Sequence, residues 1–324
     1  MKTLSEAPIS KGVRVFVRCD IDVPINNGVI EEPFRLESSL ETLKYIIEKG
    51  GIPVIAGHIG KPKGEYVEEL STKQLLPYFT EKLGPKKFEL LENLRFNPGE
   101  EENNETFSIE LASKANIYVN ESFATSHRKH ASIVGITKLL PSYAGFNLEK
   151  EVFSLKKVME NPDKPLSIII GGIKLESKLP MVERFEKIAD FIMLSSILSA
   201  NWDKEVTQNI LLSDNANEDS LDIDESTIKK FTEAIDKSKT VLWAGPLGKY
   251  EEEQFIVGTK KVAQKIADMT QEGNLFSVVG GGDTVTAINK LGLLNKFSFV
   301  STGGGAMLDF LSEGTLAGIE ALNQ

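Results

Sequence analysis

Basic side chains recur just after the segments of the first half that are predicted to be β-strands. A guanidinium group can grip carboxylate or phosphate oxygens with two parallel hydrogen bonds. Any one of these residues taken alone is more often an ordinary surface charge. Their recurrence at one type of loop predicts a site for a small polyanionic molecule. The residues concerned are Arg35, His58, Lys61, Arg95, His127 and Arg128.

Glycine-rich turns follow three predicted strands of the second half. Each stands between a strand and a helix, where glycine lets the backbone approach a phosphate closely and the helix start offers free N–H groups. One such turn is weak evidence, because tight structural turns are commoner, but three together indicate phosphate binding. The turns are Gly171-Gly172, Gly280-Gly281-Gly282 and Gly303-Gly304-Gly305.

Charged side chains beside these turns suggest a nucleotide with a metal ion. Lys174 and Lys178 follow the first turn and would add positive charge near phosphate. Asp283 is a candidate Mg²⁺ ligand, because magnesium usually takes one or two carboxylates and completes its shell with phosphate oxygens and water. Residues 245–248 (GPLG) form a further loop, which either flanks a nucleotide or is only a structural turn. The sequence has neither the G-x-x-x-x-G-K-[ST] phosphate loop nor a dinucleotide-binding G-x-G-x-x-G.

Short apolar runs alternate with helical faces in two series, which a turn-forming segment at residues 161–165 separates. Strands that alternate with helices predict parallel sheets with right-handed crossovers. Helical spacing of apolar residues predicts helices over 36–47, 75–83 and 182–189. The predicted strands are Val13–Cys19, Ile52–Ala56, Phe88–Leu91, Ile117–Val119, Leu166–Ile170, Phe191–Leu194, Ile210–Leu212, Thr240–Trp243, Leu275–Val279 and Phe297–Val300.

These elements predict an α/β protein of two Rossmann-like three-layer αβα domains, with mainly parallel sheets facing a cleft. We expect one domain over residues 1–147 and the other over 148–311. An acidic segment, residues 213–226, is expected to be a solvated loop, since its spacing fits no Ca²⁺-loop pattern.

The composition excludes several classes of protein. A net charge of −10 disfavours general binding to DNA or to anionic membranes. No apolar run is long enough for a transmembrane helix, and the first residues lack the apolar core of a secretory signal. Cys19 is the only cysteine, which excludes an internal disulfide and fits a cytoplasmic protein.

Several motifs in register resemble phosphoglycerate kinases, and the resemblance runs from about Val13 to Leu322. It rests on residues 90–96 (LLENLRF), 127–130 (HRKH), 245–248 (GPLG), 280–284 (GGGDT) and 301–306 (STGGGA). The resemblance implies reversible phosphoryl transfer between 1,3-bisphosphoglycerate and MgADP, giving 3-phosphoglycerate and MgATP in glycolysis. It further implies a hinge-bending monomer whose tail, residues 312–324, packs back on the first domain.

Residue roles follow from the resemblance, position by position. It implies that the glycerate substrate is held by Asp20, Asp22, Arg35, His58, Lys61, Arg95, His127 and Arg128. It implies that the nucleotide is held by Gly171, Gly172, Lys174, Lys178, Gly245, Pro246, Leu247, Glu251, Gly281, Gly282, Asp283 and Thr284, with Asp283 on Mg²⁺. The implied catalytic residues are Arg35, Lys174, Lys178, Gly304 and Gly305.

The chain also departs from the family pattern. The glycine-rich stretch that helps to build the family's adenosine pocket is replaced by residues 194–202, and the region from there to Thr240 is shorter than usual. Four single positions differ in type: Asp22 and Ala244 stand where the family has Asn, Lys61 where it usually has Arg, and Ser177 where it has Asp.

These departures leave two alternatives open. Asp22, Ala244 and the shortened region favour a non-catalytic protein that binds a phosphorylated metabolite. Lys61 and Asp22 favour a kinase for another acyl phosphate.

Overall fold

The computed structural model describes residues 1–26, 28–172, 178–217 and 219–323. They form two compact units: Met1–Val152 with the segment from Thr315 onward, and Phe153–Gly314. Lys174 and Ser177, to which the sequence assigned roles or departures, lie outside the described residues. Within the described ranges, no helix is both long and apolar enough to cross a membrane.

The strands form two parallel sheets and one short antiparallel ribbon. In the first unit they are β1 (Arg14–Arg18), β2 (Ile25–Asn26), β3 (Val29–Ile30), β4 (Ile52–Ala56), β5 (Glu89–Leu90), β6 (Ile117–Asn120) and β7 (Ser142–Ala144). In the second unit they are β8 (Leu166–Ile170), β9 (Phe191–Leu194), β10 (Ile210–Leu211), β11 (Thr240–Ala244), β12 (Phe276–Gly280) and β13 (Phe299–Val300).

Strand order is the same in outline in both sheets. The first sheet runs β5-β4-β1-β6-β7 and the second runs β10-β9-β8-β11-β12-β13, with every pairing parallel. The first strand of each series is therefore central, and strand addition changes direction between β1 and β6 and between β8 and β11. In open α/β sheets, ligands bind beyond the carboxyl ends of the strands at such a point.

Helices connect most of the successive strands, and the last two helices follow β13. They are α1 (Phe34–Ser38), α2 (Leu40–Glu48), α3 (Leu76–Leu83), α4 (Glu105–Ala112), α5 (Phe146–Glu160), α6 (Leu179–Phe185), α7 (Ser196–Ala200), α8 (Glu225–Lys237), α9 (Val257–Gln271), α10 (Gly282–Lys290), α11 (Gly305–Glu313) and α12 (Ala317–Ala321). The division between the two units falls within α5.

Each sheet carries its own core. Strand β8 is buried along its whole length, as its continuous apolar run predicts. Val15 and Val17 of β1 pack with Leu43 and Ile46 of α2 in the first unit, and Trp243 of β11 packs with α8 and α9 in the second. The predicted α/β fold with mainly parallel sheets is confirmed.

Two helix predictions differ from the structure. The face predicted over residues 36–47 is divided at Ser39, whose N–H bonds to the carbonyl of Leu36, three residues back, at 3.2 Å. The helix predicted over 182–189 ends at Phe185, because the N–H groups of Ile188 and Ala189 both donate hydrogen bonds to the Phe185 carbonyl.

Candidate functional site

Four loops of the first unit meet at the carboxyl edge of its sheet. They follow the neighbouring strands β5, β4, β1 and β6, and they carry Arg95, His58, Asp20 with Asp22, and Arg128 respectively. Because parallel strands end at the same edge, residues distant in sequence come together here.

His58 is held between Arg18 and Asp22. The Arg18 Nη2 group donates to His58 Nδ1 at 3.0 Å, so the ring proton lies on Nε2, which faces Asp22 Oδ2 at 3.7 Å. Burial lowers the pKa of His58 well below its usual value, and the cationic groups of Arg18, Arg95 and Arg128 lower it further. His58 is therefore neutral at physiological pH and keeps a defined donor and acceptor.

Arg18 is a fully buried cation that sequence reasoning did not single out. Its Nε donates to the hydroxyl of Ser132 at 2.9 Å, and that hydroxyl donates to Glu100 Oε1 at 2.6 Å. Burial raises the pKa of Glu100, but the neighbouring His130 ring, 3.6 Å away, and the charge of Arg18 outweigh that effect and leave the pKa low. A carboxylate therefore balances the arginine inside the unit. The available signal was an arginine that directly follows the apolar residues Val15, Phe16 and Val17 in a predicted strand.

Asp20, which is buried at this edge, forms an ion pair with the partly exposed Arg35. The Nη1 atom of Arg35 lies 3.5 Å from Asp20 Oδ2 and donates to the Asp22 carbonyl at 3.3 Å. Asp20 is buried, and its side-chain oxygens make no hydrogen bond of good geometry within the described residues. Burial raises its pKa, while Arg35 acts in the opposite direction. A buried carboxyl group whose oxygens lack donors in this way can accept a hydrogen bond from a ligand at little cost.

Arg95 is oriented from two sides. Its Nη1 donates to the Gly60 carbonyl at 2.9 Å, and its Nε lies 3.2 Å from Glu101 Oε1. The side chain is buried, and its Nη2 has no hydrogen-bond partner among the described residues. A buried guanidinium nitrogen without a partner is costly unless a ligand uses it. Glu101 was not foreseen from the sequence.

The remaining predicted residues of this half differ in their surroundings. Lys61 is exposed, whereas His127 and Arg128 are half-buried in the loop after β6. Arg128 influences the pKa values of both His58 and Arg95, which places it within electrostatic range of them. Asp22 accepts the N–H of Gly60 at 2.9 Å, so it also fixes the loop that carries Lys61.

In the second unit, two glycine loops touch backbone to backbone where strand addition changes direction. The N–H of Gly171 bonds to the Ala244 carbonyl at 2.9 Å, and the N–H of Gly172 to the Pro246 carbonyl at 3.0 Å. A Cβ on Gly171 would overlap the Pro246 carbonyl, and a Cβ on Gly245 would overlap the Gly171 carbonyl. Glycine is required at both positions to bring the loops together.

Two further glycines open helices at the same edge. Gly282 is the first residue of α10 and Gly305 the first residue of α11, and neither has another atom within 4 Å of where a Cβ would lie. The residues before them, Gly281 and Gly304, have positive φ angles of 94° and 49°. These helix starts thus present free N–H groups beside open space, which suits phosphate oxygens.

Lys178, Asp283 and Thr284 surround these loops. Burial lowers the pKa of Lys178, and the charge of Asp283 opposes that effect, so the two side chains lie within electrostatic range. Thr284 is buried and accepts the N–H of Gly245 at 2.7 Å. Asp283 is exposed in the first turn of α10. Among the described residues, no group of three or more His, Cys, Asp or Glu side chains could hold a metal ion by itself.

A cavity of about 310 Å³, which we call the base cavity, lies beside the glycine loops. Such a volume is in the range of small-molecule sites. Its walls include the apolar side chains of Ile197, Leu221, Leu247 and Tyr250, and Glu251 and Asp283 reach its lining. Of the residues predicted to bind nucleotide, Gly172, Pro246, Leu247, Glu251 and Asp283 line it.

Most described side chains of the acidic segment are exposed, as a solvated loop requires, but parts of the segment also bind to the rest of the second unit. Ser220 and Leu221 line the base cavity, and the Leu221 carbonyl accepts the N–H of Lys249 at 2.7 Å. Asp222 accepts the N–H of Gly258, Asp224 accepts the N–H of Thr227 and Asp214 accepts a hydrogen bond from Lys230 Nζ, and these bonds fasten the segment to the unit. The composition of residues 213–226 indicates a polar segment, but it does not indicate which groups of the protein the carboxylates bind.

Comparisons with known proteins agree with one another. The sequence profile of the family described as phosphoglycerate kinase matches residues 6–88, 79–210 and 190–314. The chain is 33% identical to the phosphoglycerate kinase of Finegoldia magna over 396 aligned residues, which cover 100% of this chain and 99% of the relative. It is 34% identical to the cytosolic phosphoglycerate kinase of Triticum aestivum, with 99% and 98% covered. The first alignment is longer than this chain, so the relative has segments without a counterpart here.

Solved structures give the same result. The chain resembles the phosphoglycerate kinase of Coxiella burnetii with a TM-score of 0.85 and 28% identity, covering 99% of this chain and 98% of that one. It resembles the enzyme of Pyrococcus horikoshii OT3 with a TM-score of 0.85 and 27% identity, covering 100% and 98%. The chain therefore belongs to the phosphoglycerate kinase family.

Proposed function

We propose that this protein catalyses reversible phosphoryl transfer between 1,3-bisphosphoglycerate and MgADP, giving 3-phosphoglycerate and MgATP. The observation that carries the proposal is that one chain holds both an arginine-histidine cluster and a set of open glycine helix starts, each at the carboxyl edge of a parallel sheet. In the forward step, the bond between phosphorus and the substrate carboxylate oxygen breaks. A bond forms from the same phosphorus to a terminal oxygen of ADP.

The first unit is suited to the glycerate substrate. Arg95 offers a buried, partnerless Nη2 to an anionic oxygen, and Asp20 offers a carboxylate to the hydroxyl of the glycerate. Neutral His58 adds one fixed N–H donor beside them. Arg35, which is partly exposed, is assigned to neutralise charge on the transferring phosphoryl group. Phosphoryl transfer needs positioning and charge neutralisation rather than a covalent nucleophile.

The second unit is suited to the nucleotide. The helix starts at Gly282 and Gly305 would receive phosphate oxygens, and Lys178 would add positive charge beside Asp283. The base cavity would receive the base between Leu221 and Leu247. Lys174 is assigned a phosphate-binding role by the family resemblance alone.

Asp283 fits Mg²⁺ as its one protein ligand. The carboxylate is exposed at the rim of the base cavity and in the first turn of α10, which leaves the other coordination positions to phosphate oxygens and water. That division is the usual one for magnesium bound with a nucleotide. When bound, the ion would neutralise charge on the phosphates.

The departures from the family pattern are compatible with this proposal. Asp22 accepts the Gly60 N–H with one carboxylate oxygen, and its other oxygen faces His58. The carboxylate that replaces the family's Asn is therefore held in place by its neighbours. The replaced stretch still provides Ile197 to the base cavity, and the shortened region still provides Leu221. The buried single thiol of Cys19 is compatible with a cytoplasmic enzyme, and we expect a monomer.

A coupled assay with MgATP and 3-phosphoglycerate tests the proposal. We expect turnover by the wild-type protein, and much less by Arg35→Ala. Wild-type turnover no higher than that of the variant would remove the proposal. Calorimetry with 3-phosphoglycerate and MgADP separates the alternatives, because binding of the first without the second would indicate a metabolite-binding protein. A panel of small carboxylates would reveal a kinase with another acceptor.

A further inference from the structure

The wall of the base cavity formed by Ser220 and Leu221 is fastened to α9. Oδ2 of Asp222, the next residue, accepts the N–H of Gly258 in the first turn of α9 at 2.8 Å, while its Oδ1 accepts the N–H of Ile223 at 2.9 Å. The side chain of Ile256, which precedes α9, makes no capping hydrogen bond. The carboxylate of Asp222 therefore satisfies helix-start donors that would otherwise lack a side-chain partner.

A second part of the cavity wall, formed by Leu247, is fastened to the same turn of α9. The N–H of Leu247 donates to the hydroxyl of Thr259 at 3.0 Å, one residue beyond Gly258. Leu221 and Leu247, which face the base cavity, are thus both tied to a single helix start. Two hydrogen bonds to adjacent residues of α9, together with the bond from the Lys249 N–H to the Leu221 carbonyl, hold these two parts of the wall at a fixed separation.

Neighbouring glycines leave room for this arrangement. A Cβ on Gly248 would overlap Asp222 Oδ1 and the Phe255 carbonyl, and a Cβ on Gly258 would crowd Asp222 Oδ1. The backbone carbonyl of Asp222 also accepts hydrogen bonds from Ser196 Oγ at 3.1 Å and Asn215 Nδ2 at 3.0 Å. The residue is consequently held in one position from several sides.

Building on the function proposed above, we propose that Asp222 is a positioning residue for the nucleotide base. By binding the first turn of α9, it sets the wall of Ser220 and Leu221 against the wall of Leu247, and so fixes the width of the base cavity. It does not touch the reacting atoms. Its loss should weaken nucleotide binding without changing the chemical step or the binding of the glycerate substrate.

The test compares Asp222→Asn with Asp224→Asn in the full-length protein. Asp224 caps α8 through the N–H of Thr227 at 3.0 Å, so each substitution removes one carboxylate from a helix start, two residues apart in the same segment. Only Asp222 is bonded to α9. Burial raises the pKa of Asp222 to about 6, and the assays are therefore run at pH 8, where the group is ionised.

We expect Asp222→Asn to raise the KM for MgADP about tenfold, the equivalent of one charge-assisted hydrogen bond. Its kcat and its KM for 1,3-bisphosphoglycerate should stay near the wild-type values. Asp224→Asn should lower the melting temperature and leave the KM for MgADP unchanged. An unchanged KM in Asp222→Asn, or an equal rise in both variants, would overturn the proposal.

Two further measurements keep the test decisive. If Asp222→Asn does not fold, Leu221→Ala shortens a side chain of the same wall. That variant should fold, because the Leu221 side chain is 37% exposed. An unchanged KM for MgADP in Leu221→Ala would refute the assignment. If the wild-type protein shows no turnover, the proposed kinase function fails. Calorimetric titration of MgADP into the wild type and Asp222→Asn still tests the positioning role, since equal affinities would contradict it.

Discussion

The two units bury different kinds of polar side chain. Within the described residues, every buried Asp, Glu, His or Arg side chain belongs to the first unit, whereas the buried polar side chains of the second unit are Ser and Thr. These buried ionisable side chains are Arg18, Asp20, His58, Arg95, Glu100, Glu121, His130 and Glu151.

This difference shows two ways of preparing a protein for an anionic ligand. The first unit uses charged side chains, and it must then balance them internally, as Ser132 and Glu100 balance Arg18. The second unit uses backbone N–H groups at glycine helix starts, which need no buried counter-charge. Removing a side chain should therefore damage the first unit, and adding one should damage the second.

Removing Arg35 should give the largest effect. We expect Arg35→Ala to lower kcat roughly 10³-fold, the lower range for an arginine that neutralises a transferring phosphoryl group. Arg14→Ala is the matched control, because Arg14 begins β1 at the opposite edge of the same sheet and pairs with Glu89. Steady-state kinetics measures both. A similar kcat in the two variants would show that the position of the arginine is irrelevant.

Adding a methyl group to the second unit should have the next largest effect. Gly305→Ala meets no atom within 4 Å, and alanine is a better helix former than glycine, so the fold should be unharmed. The methyl would occupy space assigned to phosphate, and we expect the KM for MgADP to rise about tenfold. The KM for 1,3-bisphosphoglycerate and the melting temperature are internal controls. Unchanged nucleotide affinity would mean that phosphate does not bind at this helix start.

The buried charges of the first unit should make its stability depend on pH in two directions. Burial raises the pKa of Glu121 well above its usual value, so its stabilising contribution is full below the unfolded-state pKa and is lost as pH rises through the folded-state pKa. The lowered pKa of Glu100 has the opposite consequence, since that contribution is present above the unfolded-state pKa and is lost as pH falls.

Chemical denaturation across pH 2 to 9 measures both effects. Glu121→Gln should remove the loss of unfolding free energy at high pH, and Glu100→Gln should remove the loss at low pH. Glu121 accepts the N–H of Asn147 at 3.1 Å, and glutamine can keep that bond. Identical pH profiles for the wild type and both variants would contradict the different environments of the two carboxyl groups.

The smallest expected effect concerns the anionic character of the first site. Asp22→Asn keeps an oxygen for the Gly60 N–H and removes a negative charge beside the proposed anionic substrate. Because Asp22 is 38% exposed, solvent screens much of that charge. We therefore expect the KM for 1,3-bisphosphoglycerate to fall only about two- to fivefold. A raised KM would instead assign Asp22 a direct role in holding the substrate.

Sequence reasoning found the elements that depend on local pattern. The strands Ile52–Ala56, Leu166–Ile170 and Phe191–Leu194 have the predicted bounds, since each is a compact apolar run. The ribbon strands β2 and β3 and the edge strand β7 were missed, because each has only two or three residues, too few to show an alternating pattern.

The sites divide in the same way. Arg95 and the glycine turns were predicted because their loops carry recognisable residues. The hydrogen bonds that join Arg18, Ser132 and Glu100 could not be predicted. These residues are far apart in the sequence, and their contact depends on the strand order. The role of Asp222 depends on a helix that begins about 35 residues later, which no local pattern in the acidic segment indicates.

Calorimetric titration of 3-phosphoglycerate and of MgADP into three proteins tests most directly whether the two surfaces bind different ligands. The proteins are the wild type, Arg95→Lys and Gly305→Ala. We expect the wild type to bind each ligand once, Arg95→Lys to lose affinity only for 3-phosphoglycerate, and Gly305→Ala to lose affinity only for MgADP. Loss of both affinities in either variant, or no MgADP binding by the wild type, would contradict the assignment of one ligand to each unit.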